Sequence, residues 1–202
     1  MKRYTSCLWL TCVLTVASAQ QNPNRITPGK KLGKLNVGDL MEDMKWLKKP
    51  DYGDAVAGHR WQTWEAKKRD PRNGNITNSL DVYTSPNVDG KNQIRIIRST
   101  SPTFSTKDGV KVRSTLAKAK DLYPKLVLAG EYESPQFASK VALYDDTLDG
   151  ISFEFKVGKD GQVGLHEKCL SIWVHEPAVA VMASDPITYL TAKPSYRKAK
   201  RH

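Results

Sequence analysis

Short runs of alternating apolar and polar positions recur along the chain. Leu80 and Val82 alternate with Asp81 and Tyr83, and Ile151, Phe153 and Phe155 alternate with Ser152 and Glu154. Ile94 and Ile96 repeat the pattern, as do Leu170, Ile172 and Val174. A period of two is what a strand shows when one face of its sheet is buried. These runs predict strands at 60–66, 79–84, 93–99, 140–144, 151–157 and 169–175. Asn73-Gly74-Asn75, Asp89-Gly90-Lys91, Asp149-Gly150 and Lys159-Asp160-Gly161 supply turn chemistry between them.

Two stretches carry the helical period instead. Residues 35–47 lie over residues 110–122 at an offset of 75. Each opens with an apolar-x-Val pair, Leu35 with Val37 and Val110 with Val112. Each then offers a capping residue, Asp39 or Ser114, whose oxygen can accept from the free amides of a first helical turn. Leu40, Met44 and Leu47 follow in one copy and Leu116, Ala119 and Leu122 in the other, with Pro50 and Pro124 closing them. The pattern predicts an α+β chain of two tandem units, each a helix covering an antiparallel sheet. The first unit spans 35–108 and the second 109–176, after a signal peptide (1–19) and a basic segment (20–34). A C-terminal extension with a basic tail follows at 177–202.

A unit of this length, with the Val37-Gly38-Asp39 start and a following meander, resembles the β-lactamase-inhibitor-protein and SmpA/OmlA-type envelope fold. The resemblance implies two units with their sheets side by side, forming a concave surface for a partner. Arg113 departs from it, standing where the lead-in glycine would be, and the inhibitor family's disulfides have no counterpart.

The N-terminus sets the compartment. Lys2 and Arg3 precede an apolar run from Cys7 to Val16, and Ala17-Ser18-Ala19 follows. This is a secretory signal, too short to span a bilayer permanently, with cleavage expected after Ala19. The mature chain is therefore expected to be secreted or periplasmic, without a transmembrane span. It would keep only Cys169, which reads as a buried small hydrophobe; an intermolecular disulfide or a reactive thiol is the alternative.

Charge narrows the partners. Lys and Arg number 32 against 21 Asp and Glu, a formal +11. Residues 35–192 are balanced, however, and apart from Lys2 and Arg3 of the signal the excess sits in Arg25, Lys30, Lys31 and Lys34 and in Lys193, Arg197, Lys198, Lys200 and Arg201. A nucleic-acid domain would carry its excess on the folded surface, so no nucleic-acid partner is expected. The basic C-terminal residues are candidates for an anionic envelope polymer or membrane.

Catalytic signatures are sparse. The chain has no G-x-S-x-G, P-loop, H-E-x-x-H or G-x-G-x-x-G. His166, Cys169 and His175 do not match a zinc spacing, and a nucleophilic Cys169 would need one of those histidines beside it. The run Asp145-Asp146-Thr147-Leu148-Asp149-Gly150 has calcium-like oxygens but places Lys156 where the closing carboxylate belongs. Glu131 and Glu133 read as solvated loop charges, and Asn75-Ile76-Thr77 is a glycosylation sequon. No cofactor and no metal are expected. Strand parity puts Tyr83, Trp173 and one of Trp61 and Trp64 out of phase with the core runs, near Arg95 and Arg98. Aromatics and Arg dominate binding hot spots, so Trp61, Trp64, Tyr83, Arg95 and Trp173 are the candidate partner-binding residues. The leading expectation is an exported non-enzymatic protein binding a partner of the envelope or extracellular space through its sheet face. The rivals are a peripheral anionic-surface binder and an envelope enzyme using Cys169.

Overall fold

The computed structural model describes residues 22–66, 78–134 and 136–181. Its strands are β1 (Ile26–Thr27), β2 (Lys31–Leu32), β3 (Leu35–Asn36), β4 (Tyr52–Val56), β5 (His59–Glu65) and β6 (Ser79–Pro86). They continue with β7 (Asn92–Ser99), β8 (Val127–Ser134), β9 (Ser139–Asp146), β10 (Ile151–Lys156) and β11 (Cys169–His175). The helix α1 (Leu116–Leu122) precedes β8, and a single 3-10 turn occupies Met41–Asp43.

Strands β4 to β11 form one eight-stranded sheet in the order β4-β5-β6-β7-β11-β10-β9-β8. Every pairing in it is antiparallel. Two four-stranded meanders thus meet through their last strands, with Arg98 opposite Trp173 at the seam.

The expected α+β class is corrected by this architecture: the chain is mostly β, and two helix-bearing units do not form. In the first copy the backbone is drawn into the sheet instead. Asp39 O accepts from Ile94 N at 2.9 Å, and its carboxylate takes the Asn36 amide at 2.7 Å. Asp39 is thereby lost as a cap; the turn is preceded by Leu40, which has no side-chain cap bond. A lone turn without a cap does not propagate. In the second copy the cap is Thr115, one residue later than expected, whose Oγ1 accepts from Lys118 N at 3.2 Å.

The two lead-ins are clamped alike. Gly38 N donates to Ile94 O and Arg113 N to Cys169 O, both at 2.8 Å. Ile94 N then donates to Asp39 O, and Cys169 N to Ser114 O. Gly38 and Arg113 both have a left-handed backbone, with φ of +96° and +77°. Each clamp is followed by a β-bulge one residue on: the register skips Arg95 in β7 and Leu170 in β11.

The bulges decide which side chains share a face, because an extra residue reverses the alternation beyond it. Ile94 and Ile97 lie in the main core while Ile96 belongs to a second cluster, against the simple alternation expected of 94 and 96. Cys169 joins Ile172 and Val174 in the main core, and Leu170 packs with the second cluster.

The main core covers one sheet face. Val82, Ile97, Phe153, Phe155 and Ile172 point into it, capped by Leu116, Ala119 and Tyr123 of the α1 region. The N-terminal residues are built into this layer. Strands β1, β2 and β3 form a small antiparallel ribbon whose Ile26, Leu32 and Leu35 enter the core. The ribbon docks where Gly150 lies: a Cβ there would collide with the His175 carbonyl and with Gly29. No described helix is long and apolar enough to cross a membrane.

Candidate functional site

The opposite face of the sheet is built differently. Trp61, Tyr83, Ile96, Tyr132, Val141, Leu143 and Trp173 form an apolar cluster with Val181. Trp61 stands 6.2 Å from both Tyr83 and Trp173. Among these rings sits Arg98, fully buried, with its guanidinium 5.4 Å from the Trp173 centroid and 5.6 Å from that of Phe137.

Asp81, Arg98 and Glu154 occupy the polar parity of β6, β7 and β10, so the alternating strands bring them together. Arg98 donates to Asp81 at 2.6 Å, to Glu154 at 2.8 Å and to Gln136 at 2.8 Å. Two carboxylates share this one guanidinium, and hydroxyl donors fill their remaining acceptor sites. Thr63 and Ser79 donate to Asp81, and Tyr132 and Ser171 to Glu154. Burial by itself would make Arg98 easier to deprotonate, but Glu154 and then Asp81 hold it charged above its ordinary range. Gln136 also donates to Ser79, tying the β8–β9 connection over the sheet. Arg98, Asp81 and Glu154 are all buried, while Gln136 and Thr63 at the edge of the network are half-buried.

A second polar group lies nearer the rim. His175 Nε2 and Asp145 Oδ1 are 2.9 Å apart, and Ser152 Oγ donates to the same carboxylate oxygen at 2.9 Å. Burial pushes the Asp145 carboxyl up, but the His175 contact, with Thr147 and Ser152, outweighs it and leaves the group below the usual carboxylate range. The other ring nitrogen of His175 meets the Glu176 carbonyl at 3.0 Å. Ser152 bonds to the acid rather than to the imidazole, so this is not the nucleophile–base–orienter order of an acyl-transfer triad.

Beside His175 the face opens into a depression of about 220 Å³, lined by Tyr83, Ser85, Arg95, Ile96, His175, Glu176, Val179 and Val181. The β7 bulge aims Arg95 into it. Arg95 Nε donates to Ser85 at 2.9 Å, and its guanidinium meets Glu176 at 3.4 Å with both side chains partly in water. Ile96 and Val181 are buried, while Val179 is 44% exposed. Tyr83 OH and His59 Nδ1 are 2.6 Å apart behind it.

The sequence candidates separate accordingly. Trp61, Tyr83 and Trp173 share a face, as parity implied, but that face is buried rather than open; Trp64 turns to the main core. Tyr83 and Arg95 line the depression, and Trp61 and Trp173 lie in the cluster behind it. Cys169 and His175 point to opposite faces because the β11 bulge lies between them. The thiol is buried, donates to Ser171 O at 3.1 Å, and is pushed far above its usual range by that burial. Glu131 and Glu133 lie on β8 rather than in a loop, and Glu131 is paired with Lys140. The Asp145–Gly150 run ends β9 and forms the β9–β10 turn, and no group of three or more His, Cys, Asp or Glu among the described residues could hold a metal. Lys193, Arg197, Lys198, Lys200 and Arg201, the sequon at 75–77 and the signal segment 1–19 lie outside the described residues. The Arg98 network was missed by the sequence reading. Its signal was the sharing of one parity by Asp81, Arg98 and Glu154 with Tyr83 and Trp173.

No family model matches the chain, and no curated protein does. Among solved structures, the uncharacterized protein yfeY from Escherichia coli is similar at a TM-score of 0.38 and 16% identity. That match covers 77% of this chain and 100% of the other. A likeness of this size carries no argument about fold or function.

Proposed function

We propose that the chain is an exported, non-enzymatic binding protein that seats side chains of a partner protein in the depression at the seam of its two meanders. The observation that carries this reading is the composition of that depression. It has an apolar floor at Ile96 and Val181, a half-exposed Val179, and one cation and one anion at its lip. Its volume of about 220 Å³ is below the roughly 300–1,000 Å³ of ordinary small-molecule sites and suits one or two protein side chains. Arginine bordering an apolar pocket is the composition of an interface hot spot. Export rests on the signal-like residues 2–19.

The test is quantitative affinity capture from an envelope extract with wild type, Val179→Asp, Arg95→Glu and the distant control Val88→Asp. Val88, in the β6–β7 connection, is fully exposed. A true partner should fall by about tenfold or more with each of the first two, as expected for a hot spot worth above about 1.4 kcal/mol. It should be unaffected by the control. Equal recovery with all four proteins would refute the reading.

A further inference from the structure

A second surface lies away from the depression. Trp46 is 53% exposed, the one aromatic among the exposed large hydrophobics of the described residues. It belongs to the segment Met44-Lys45-Trp46-Leu47-Lys48-Lys49. This segment is held to the body by some of its residues. Met44 and Leu47 pack on the main core, and Lys48 O accepts from Trp64 Nε1 at 2.6 Å. Trp46, Lys45, Lys48 and Lys49 are exposed to solvent. The β2–β3 turn adds a fourth cation from elsewhere in the sequence: Lys34 Nζ lies 5.9 Å from the Trp46 ring centroid.

None of these four lysines is paired with a carboxylate among the described residues. Acids flank the segment on both sides: Glu42 and Asp43 are exposed on the preceding turn, and Asp51, two residues after Lys49, accepts from Glu65 N at 2.8 Å. An exposed indole with Lys34 over its ring and three further exposed lysines, Lys45, Lys48 and Lys49, within three residues of it matches the interface of an anionic bilayer. The indole partitions to the headgroup level, the lysine stems lie along the apolar boundary, and their charges meet lipid phosphate. A soluble polyanion without aromatic rings, such as heparin, would recruit the lysines but has no use for the indole.

We propose that this face, Lys34 with Trp46 and Lys45, Lys48 and Lys49, docks the protein on the surface of an anionic phospholipid membrane. Docking is peripheral and reversible, since one aromatic and four cations do not amount to an anchor.

The intact chain is tested by co-sedimentation with vesicles of phosphatidylcholine alone or mixed with phosphatidylglycerol. Binding is expected only to the mixed vesicles, falling as salt rises. Replacing Lys45, Lys48 and Lys49 together by Gln should weaken it by about a hundredfold, at roughly fivefold per lysine. Trp46→Ala should weaken it at least severalfold and remove the component of tryptophan fluorescence quenched by brominated lipid. Circular dichroism should show both variants folded, since the replaced side chains point to solvent. Equal binding to phosphatidylcholine alone would overturn the proposal. So would binding to heparin and mixed vesicles that ignores Trp46→Ala, which would mark a polyanion site. Binding abolished by replacing only the basic residues at 193–202 would overturn it as well, by assigning the contact to that stretch.

Discussion

The two faces of the sheet are both buried, yet they are built by opposite means. One face is filled with Val, Ile, Leu and Phe and covered by the ribbon and α1. The other mixes aromatic rings with an arginine, a histidine, the carboxylates of Asp81, Asp145 and Glu154 and several hydroxyls, nearly all out of water. An apolar face gains from burial directly, by about 25 cal/mol per Å². A charged face gains little net energy, because desolvation consumes most of what the ion pairs return. Its members nonetheless depend on one another, because each loss leaves a partner buried and uncompensated. Both faces gain from their buried apolar side chains, but only the second carries a charged network whose members must be lost or kept together.

The comparison can be broken most sharply by matched substitutions. Phe153→Ala on the apolar face should cost about 3–5 kcal/mol in denaturant unfolding, by lost transfer energy and a cavity. Arg98→Met on the other face keeps most of the volume, yet should cost a similar 3–5 kcal/mol, because Asp81 and Glu154 are stranded. The difference lies in the rescue. Adding Asp81→Leu and Glu154→Leu to Arg98→Met should recover much of the loss, while no polar change should rescue Phe153→Ala.

Acid distinguishes the faces next. The Asp145 carboxyl is held below its ordinary value in the fold, so its contribution is fully present above the unfolded value near 4 and fades as pH drops through the folded one. Unfolding monitored below about pH 4 should show an acid-induced loss that Asp145→Asn flattens. Phe153→Ala should shift the whole curve without changing its shape. The smallest effect belongs to the covering helix. Thr115→Ala removes the one side-chain cap of α1 and should cost about 1 kcal/mol.

How much of this was legible in the sequence depended on bulges. Strands 79–84, 93–99, 151–157 and 169–175 fall close to the observed β6, β7, β10 and β11 because both sides of each run carry strong patterns. Strand β8 was missed: its Val127-Leu128-Ala129-Gly130 start breaks the alternation, and a register shift lies there. Strand β4, with Gly53 and Ala55, has almost no pattern to read. The helix expected after Asp39 failed because a strong capping residue was recruited by a strand 55 positions away, which no local rule detects. The parity of Tyr83 and Trp173 was readable, but their burial was not, since it depends on Gln136, Phe137 and Val181 arriving from other segments. Arg95 reaches the depression only because a bulge adds a residue to β7, and nothing in the run Gln93–Ser99 announces it. The basic N-terminal stretch was legible as charge but not as structure; its Ile26 and Leu32 make it part of the core.

The contrast between the faces rests on Arg98 and Glu154 being a desolvated pair. A double-mutant cycle in urea with Arg98→Met, Glu154→Gln and the double variant measures this directly. A buried, mutually dependent pair predicts a coupling above about 2 kcal/mol, well beyond the roughly 0–1 kcal/mol of solvent-exposed pairs. A coupling within about 0.5 kcal/mol of zero would mean that the second face is open to water and that the two faces do not differ as described.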